Sequence, residues 1–245
     1  MTRLRLDEAL VARGLYPTRS RARDAVKRGA VTVDGAPVTK PAHPVAGDAA
    51  IAIADPARDH VSRAALKLEH ALDHFALSPR GLDCLDIGAS TGGFSEVLLE
   101  RGARHVTAID VGHGQLAAVL AHDRRITLRE GLNARDLGPE HLAAPPQFIV
   151  CDVSFISLKL ALPAALALAG PGAALVALVK PQFEAGRAAL GGGGVVRSDV
   201  QHRRVCDDIA SWLAARGWTV IGLTPSPLAG GSGNKEFLIA AEKSA

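Results

Sequence analysis

Residues 82–99 read LDCLDIGASTGGFSEVLL, and the parsing of this stretch decides the fold. It reads as a buried strand ending at Asp86, a turn carrying Gly88, Gly92 and Gly93, and a helix. Glycine lets a backbone approach a ligand closely, and the open start of a helix supplies N–H donors. The spacing G-x-x-x-G-G, with an acid before the first glycine, is not the G-x-G-x-x-G of nicotinamide-binding turns. Asp110 closes the next strand, 110 − 88 = 22 positions after Gly88, where a carboxylate accepts hydrogen bonds from a ribose. Two acids and a turn without a basic residue suit a nucleoside that carries a cation, and S-adenosylmethionine meets that description. The expected cofactor contacts are Asp86, Gly88, Ser90, Thr91, Gly92, Gly93, Phe94, Asp110 and, from a later strand, Asp152.

Outward from this unit, strands and helices alternate. GLDCLDIG (81–88), HVTAID (105–110), ITLRE (126–130), QFIVCDVSF (147–155) and GAALVALVK (172–180) read as strands. SEVLLERG (95–102), GQLAAVLAHD (114–123), LKLALPAALALAG (158–170) and VQHRRVCDDIASWLAARG (200–217) read as helices. This order predicts an α/β fold, a doubly wound, Rossmann-like, mostly parallel sheet. The last two strands, within WTVIGLTPSPL (218–228) and KEFLIAAE (235–242), have no helix between them and predict an antiparallel pair at the sheet edge.

With 245 residues, 48% of them hydrophobic, the chain has apolar surface for one ordinary core and a small second one. The net charge of +3 is unevenly placed: residues 1–40 hold nine basic and four acidic side chains, +5, which leaves −2 for the rest. That asymmetry predicts a polyanion contact at one end. Cys84, Cys151 and Cys206 lie far apart and show no metal-ligand spacing, so no metal site is expected and the expected compartment is the reducing cytoplasm. Charges interrupt the leucines of MTRLRLDEALVARG, which does not make a signal peptide. Leu160–Val179 is apolar for about the length of a membrane span, but Pro163 and Gly170-Pro171-Gly172 break it, and it reads as helix, turn and strand of a core.

Residues 2–55 are patterned differently. Leu6, Leu10 and Val11 share one helical face before Gly14; Ala22, Ala25 and Val26 share another before Gly29; Asp34-Gly35 then marks a hairpin turn. Arg19, Arg23 and Lys27 recur every four residues as a basic stripe. The skeleton RLDEALVARGLYPTRSRARDAVKRGAVTVDG (5–35) resembles the alpha-L RNA-binding domain of the ribosomal S-four type. The resemblance implies a small α+β RNA-binding domain over residues 1–56, a linker over 57–62 around Pro56 and its polar neighbours, and a catalytic domain over 63–245. It implies phosphate contacts by Arg19, Arg23, Lys27 and Arg28, with Arg63 at the entry to the second domain.

Asp152 ends the fourth strand of the larger domain and Lys180 the fifth, so both face the crevice at the carboxyl ends of a parallel sheet. Lys67 starts the helix leading into that domain, and Glu236 starts the last strand. Taken singly, each has a plain structural reading: a solvated strand end, a helix cap or an edge-strand charge. The order Lys67, Asp152, Lys180, Glu236 around the glycine turn resembles the FtsJ/RrmJ-like ribose 2′-O-methyltransferases. VSR (61–63) with LKL (66–68), LDIGASTGGF (85–94), DVSFISL (152–158), VKPQFE (179–184) and NKEFL (234–238) resemble, nearly end to end, the TlyA or hemolysin A family.

That resemblance implies methyl transfer from S-adenosylmethionine to a ribose 2′-hydroxyl of ribosomal RNA, a cytidine in ribosomal subunits. Lys180 is then the base, favoured in its neutral form by burial and by the neighbouring Lys67 cation; Asp152 orients its amine, and Glu236 positions Lys67 and the ribose. No N-P-P-Y-like segment stands at DVSF (152–155), which argues against methylation of an exocyclic amine. The loop GRAALGGGGVVRSD (186–199), with Arg187 and Arg197, is expected to form a mobile lid. Two rival readings are a membrane-active hemolysin-like protein and a catalytically silent ribosome-binding protein. A membrane-active protein needs a spanning or amphipathic segment, which the sequence does not supply. No stable membrane association is expected, and the sequence sets no oligomeric state.

Overall fold

The computed structural model describes residues 3–186, 191–230 and 233–244, and the chain divides into two compact units, Met1–Asp59 and His60–Ala245. The division falls inside the stretch read as a linker.

In the first unit, β1 (Leu4–Arg5) runs into α1 (Leu6–Ala12), followed by α2 (Arg19–Lys27), β2 (Val31–Val33), β3 (Ala36–Pro37), β4 (Pro44–Val45) and β5 (Ile51–Ile53). Thr18 caps α2 by accepting the Arg21 amide, which satisfies one of the free donors at a helix start. Strands β3, β2 and β5 form an antiparallel sheet, and β1 pairs with β4. Leu6, Leu10, Ala22, Ala25 and Val26 of the helical faces lie in the core with Val31 of β2, while Val11 is partly buried against it. Asp7 is fully buried beneath Arg5 and Arg19, both of which donate to its carboxylate.

The second unit contains α3 (Ala65–His74), β6 (Asp83–Ile87), α4 (Gly93–Glu100), β7 (His105–Asp110), α5 (Ala118–Ala121), β8 (Ile126–Glu130), β9 (Phe148–Cys151), α6 (Leu158–Ala161), α7 (Pro163–Leu168), β10 (Ala174–Val179), α8 (Pro181–Glu184), α9 (Asp199–Ala214), β11 (Trp218–Pro225) and β12 (Phe237–Lys243). The strands form one sheet in the order β11-β12-β10-β9-β6-β7-β8. Strands β6 to β10 are parallel; β12 runs antiparallel to both β10 and β11 and lies between them. The final pair is therefore antiparallel, as expected, but the last strand inserts into the sheet and leaves β11 at the edge.

Alternate strand residues feed two separate cores. Leu85, Ile149, Leu175 and Ile239 pack with Leu158, Leu162 and Ile209 on one face. Cys84, Phe148, Val150 and Val176 pack with Leu68, Leu72, Val97 and Leu98 on the other. Helices cover both faces, so the interior strands read as continuous apolar runs. Leu160–Val179 folds as helix, turn and strand, and no helix among the described residues is long and apolar enough to cross a membrane.

The helix expected over 114–123 shrinks to Ala118–Ala121. The residues before it are drawn to the glycine turn instead: the Ala117 amide donates to the Thr91 carbonyl and Gln115 lies 3.2 Å from the Ser90 hydroxyl. A tertiary bond here overrides local helical preference.

Candidate active site

The sheet order reverses at β6, from which the chain passes first to β7 and β8 and then, on the other side, to β9 and β10. Open α/β sheets place ligands outside the strand ends at such a point. Two cavities lie there, of about 710 and about 540 Å³. Gly88, Ser90, Asp152, Ser154 and Phe155 line both, so they form one bipartite cleft.

The glycines serve the chain itself more than a ligand. A side-chain carbon on Gly88 would sit 2.7 Å from the Asp152 carbonyl, so the ends of β6 and β9 approach as closely as they do only with glycine there. Gly92, at φ +95°, starts α4, and a side chain on it would strike Leu116 and Leu120. Ser90, at φ +49°, is held by its amide, which donates to Asp110 Oδ2 at 2.8 Å, while Gly112 N–H donates to Oδ1 at 2.7 Å. Asp110 thus braces the turn and still lines the smaller cavity.

Asp86 is placed differently from expectation. It is fully buried, its Oδ2 accepts from Ser95 Oγ at 2.6 Å, and its Oδ1 has no hydrogen-bond partner among the described residues. Burial, with Asp152 and Asp110 nearby, pushes its carboxyl up to about 7. It lines neither cavity, and supports the turn from beneath rather than facing a ligand. Gly92 is likewise behind the turn, whereas Gly88, Ser90, Thr91, Gly93 and Phe94 line the larger cavity.

The smaller cavity has Val111, Leu132 and Ala134 as apolar walls and Asp110, Asn133 and Asp152 as polar groups; among the described residues no lysine or arginine lines it. Apolar walls suit a planar base, the Asp110 carboxylate has lone pairs beyond those its two amides use, and the absence of cations leaves a pyrophosphate without a partner. This donor and acceptor set fits an adenosyl sulfonium. The sequence reading missed Val111, Leu132 and Asn133, which follow strand ends without any motif to mark them.

The larger cavity collects Lys67, Asp152, Lys180 and Glu236, four residues from four distant segments. Lys67 Nζ donates to Glu236 Oε2 at 2.6 Å, and this pair is almost wholly buried, with side chains 8% and 3% exposed. Lys180 Nζ lies 2.6 Å from Asp152 Oδ1 and donates to Ser154 Oγ at 2.9 Å. Each lysine has its own carboxylate, in the pairing the sequence reading expected, Glu236 on Lys67 and Asp152 on Lys180. Gly230 makes room for Glu236, since a side chain there would lie 2.0 Å from Oε1.

Above these pairs Phe155 is 91% exposed at φ +66°, its ring 5.2 Å from that of Phe183. Arg63 stands exposed on the rim. Of the lid, residues 187–190, including Arg187, lie outside the described residues. Its described end is tied down: Val196 N–H donates to Asn234 Oδ1 at 3.2 Å, and Asn234 immediately precedes Lys235 and Glu236.

On the first unit the four expected phosphate contacts separate. Arg23 and Lys27 are exposed on α2. Arg19 is paired with Asp7 and Glu8, and Arg28 donates twice to Asp55, which also accepts from the Tyr16 hydroxyl at 2.7 Å. Arg28 is thus a half-buried structural cation rather than a free phosphate ligand, because Asp55, 27 residues on, claims its guanidinium.

Comparison with known proteins matches residues 60–243 to the FtsJ-like methyltransferase model and residues 4–51 to the S4 domain model. The chain is 46% identical to the 16S/23S rRNA (cytidine-2′-O)-methyltransferase TlyA of Mycobacterium tuberculosis, over 97% of this chain and 89% of that one. It is 39% identical to hemolysin A of Brachyspira hyodysenteriae, over 96% of this chain and 98% of the relative. Among solved structures, a Streptococcus thermophilus protein described as a candidate hemolysin superposes with a TM-score of 0.79 at 40% identity, covering 100% of this chain and 90% of the other.

Proposed function

The chain belongs to the FtsJ-like methyltransferase family, and from that premise we propose that it transfers a methyl group from S-adenosylmethionine to a ribose 2′-hydroxyl of ribosomal RNA, a cytidine in ribosomal subunits, in the cytoplasm. The observation that carries the reading is the meeting of two lysine–carboxylate pairs, one buried and one partly buried, in one cavity that adjoins a nucleoside-sized neighbour.

A ribose hydroxyl is a poor nucleophile until a positioned base removes its proton. The bound cofactor supplies an electrophilic methyl group on a sulfonium. Asp110 and Asn133, with the walls Val111 and Leu132, would hold the adenosyl part, and Asp152 borders both cavities. Lys180, once its ammonium has released a proton to solvent, receives the hydroxyl proton as the O–CH3 bond forms and the sulfonium S–CH3 bond breaks. Asp152, 2.6 Å from its nitrogen, then balances the ammonium, and in a site shielded from water that compensation is worth more than in bulk solvent. Lys67, held by Glu236, is a fixed donor that orients the ribose oxygens.

Phe155 keeps a left-handed backbone, which costs a residue with a side chain on the order of 1–3 kcal/mol. The strain presents a bare aromatic face beside the reacting groups, as stacking on a nucleobase requires. Of the five expected RNA contacts, Arg23, Lys27 and Arg63 are the exposed ones outside the Arg19 and Arg28 ion pairs.

The test is incubation of the purified protein with S-adenosylmethionine and unmodified bacterial ribosomal subunits, followed by nuclease digestion and mass spectrometry of nucleosides. A 2′-O-methylcytidine should appear with the native protein and vanish with Lys180→Ala. Absence of any methylated nucleoside, although the cofactor binds, would overturn the reading in favour of a silent ribosome-binding protein.

A further inference from the structure

Among the described residues, the aligned hydrogen bond of Lys180 goes to Ser154 and not to Asp152. Its Nζ donates to Ser154 Oγ at 2.9 Å. Asp152 Oδ1 is nearer, at 2.6 Å, yet that oxygen has no hydrogen-bond partner among the described residues, because the lysine approaches it off the hydrogen-bond axis. The two contacts therefore differ in kind. An ion pair depends mainly on distance, whereas a hydrogen bond weakens steeply with angle. Charge comes from Asp152 and direction from Ser154.

The sheet itself makes this contact. Strands β9 and β10 are paired in parallel from Phe148 beside Ala174 to Cys151 beside Ala177, an offset of 177 − 151 = 26. Carried three residues beyond the ladder, the same offset sets Ser154 beside Lys180, since 180 − 154 = 26. Just beyond the end of β9, Asp152 and Ser154 both reach the amine. Ser154 is exposed and borders both cavities, at the place where they join.

We propose that Ser154 is a positioning residue: its hydroxyl fixes the rotation of the Lys180 amine, so that the open direction of the nitrogen faces the acceptor ribose while Asp152 balances the charge. A hydroxyl has one proton to give and two lone pairs, so Ser154 accepts from the lysine and keeps its own O–H to donate. The inference rests on the methyl-transfer reading, and it moves the orienting role from Asp152 to a residue two positions on.

Steady-state methylation of ribosomal subunits by the native protein, Ser154→Ala and Ser154→Thr tests it, with cofactor affinity by calorimetry and folding by circular dichroism. In Ser154→Ala, kcat should fall roughly 10- to 100-fold, the scale of one misaligned catalytic hydrogen bond. KM for subunits and Kd for the cofactor should stay within about twofold, because the serine acts through Lys180 and holds no ligand. Ser154→Thr, which restores the hydroxyl, should recover most of kcat. An unchanged kcat, a loss confined to cofactor affinity, or a threonine variant no better than alanine overturns the proposal while leaving the reaction reading intact. A native protein that binds cofactor but methylates nothing overturns the reaction reading, and the proposal with it.

Discussion

Replacing Lys67 by methionine removes the charge and keeps the stem. It would leave the Glu236 carboxylate, with a side chain 3% exposed, without the partner that now stands 2.6 Å away. Stranding one member of a buried ion pair costs about 3–5 kcal/mol, because the remaining charge loses water and gains nothing in return. For a unit of this size roughly 1 kcal/mol moves the midpoint of melting by about 2–4 °C, so the variant should melt roughly 6–20 °C lower. Lys67→Met/Glu236→Leu removes both charges at once and should recover to within about 1–2 kcal/mol of the native protein, since apolar replacement of a whole buried pair is near neutral. Urea unfolding followed by circular dichroism reads both numbers. The recovered double variant should bind cofactor but not methylate subunits, which separates the structural role of the pair from its catalytic one. If Lys67→Met loses less than about 1 kcal/mol, water reaches Glu236 and the pair is not the buried, specific contact that the reaction scheme requires.

Asp86 should make the fold less stable as pH rises. Its carboxyl is pushed from the ordinary 3.8 up to about 7, so between those values the unfolded chain ionises and the native one does not. The stabilisation is complete below about 4 and lost by about 7, on the order of 4 kcal/mol in all, and Asp86→Asn should flatten that part of a melting-versus-pH curve; a variant with the native slope refutes the assignment. Phe155→Ala should leave the melting midpoint within about 2 °C, because the ring is 91% exposed, yet raise KM for subunits by roughly tenfold through lost stacking; filter-binding and turnover assays separate the two. Arg23→Ser with Lys27→Ser should weaken RNA binding and reduce the slope of log K against log salt by about 1.5–2, whereas Arg28→Ser, which unpairs Asp55, should lower stability instead. Salt-titrated binding and melting curves distinguish those two outcomes.

How far the sequence could be read depends on the range of the interaction that decides each feature. The turn of residues 86–93, the strand ends carrying Asp152 and Lys180, and the helical faces of Leu6, Leu10 and Val26 follow from local pattern, and the folded chain agrees with them. The place of β12 does not follow from local pattern. Its apolar run FLIAA suits any buried position, and only the competition between β10 and β11 for its backbone settles that it lies between them. The short α5 is of the same kind, since GQLAAVLAHD is a sound helix by composition until the glycine turn claims its first residues.

The candidate site divides along that line as well. Asp152 and Lys180 can be picked from the chain because each follows a buried strand, whereas Lys67 and Glu236 are reached through the family resemblance. That Ser154 gives the Lys180 amine its aligned bond depends on how β9 and β10 lie beside each other, a property of two segments together. Register moves in whole residues, and a slip of one position turns every side chain to the opposite face. The offset of 26 that unites Ser154 with Lys180 also seats Phe148, Ile149 and Val150 in their two cores. Disturbing the site through its register would therefore bury polar groups and expose the core at once, and the strength of that core is what holds the lysine in place.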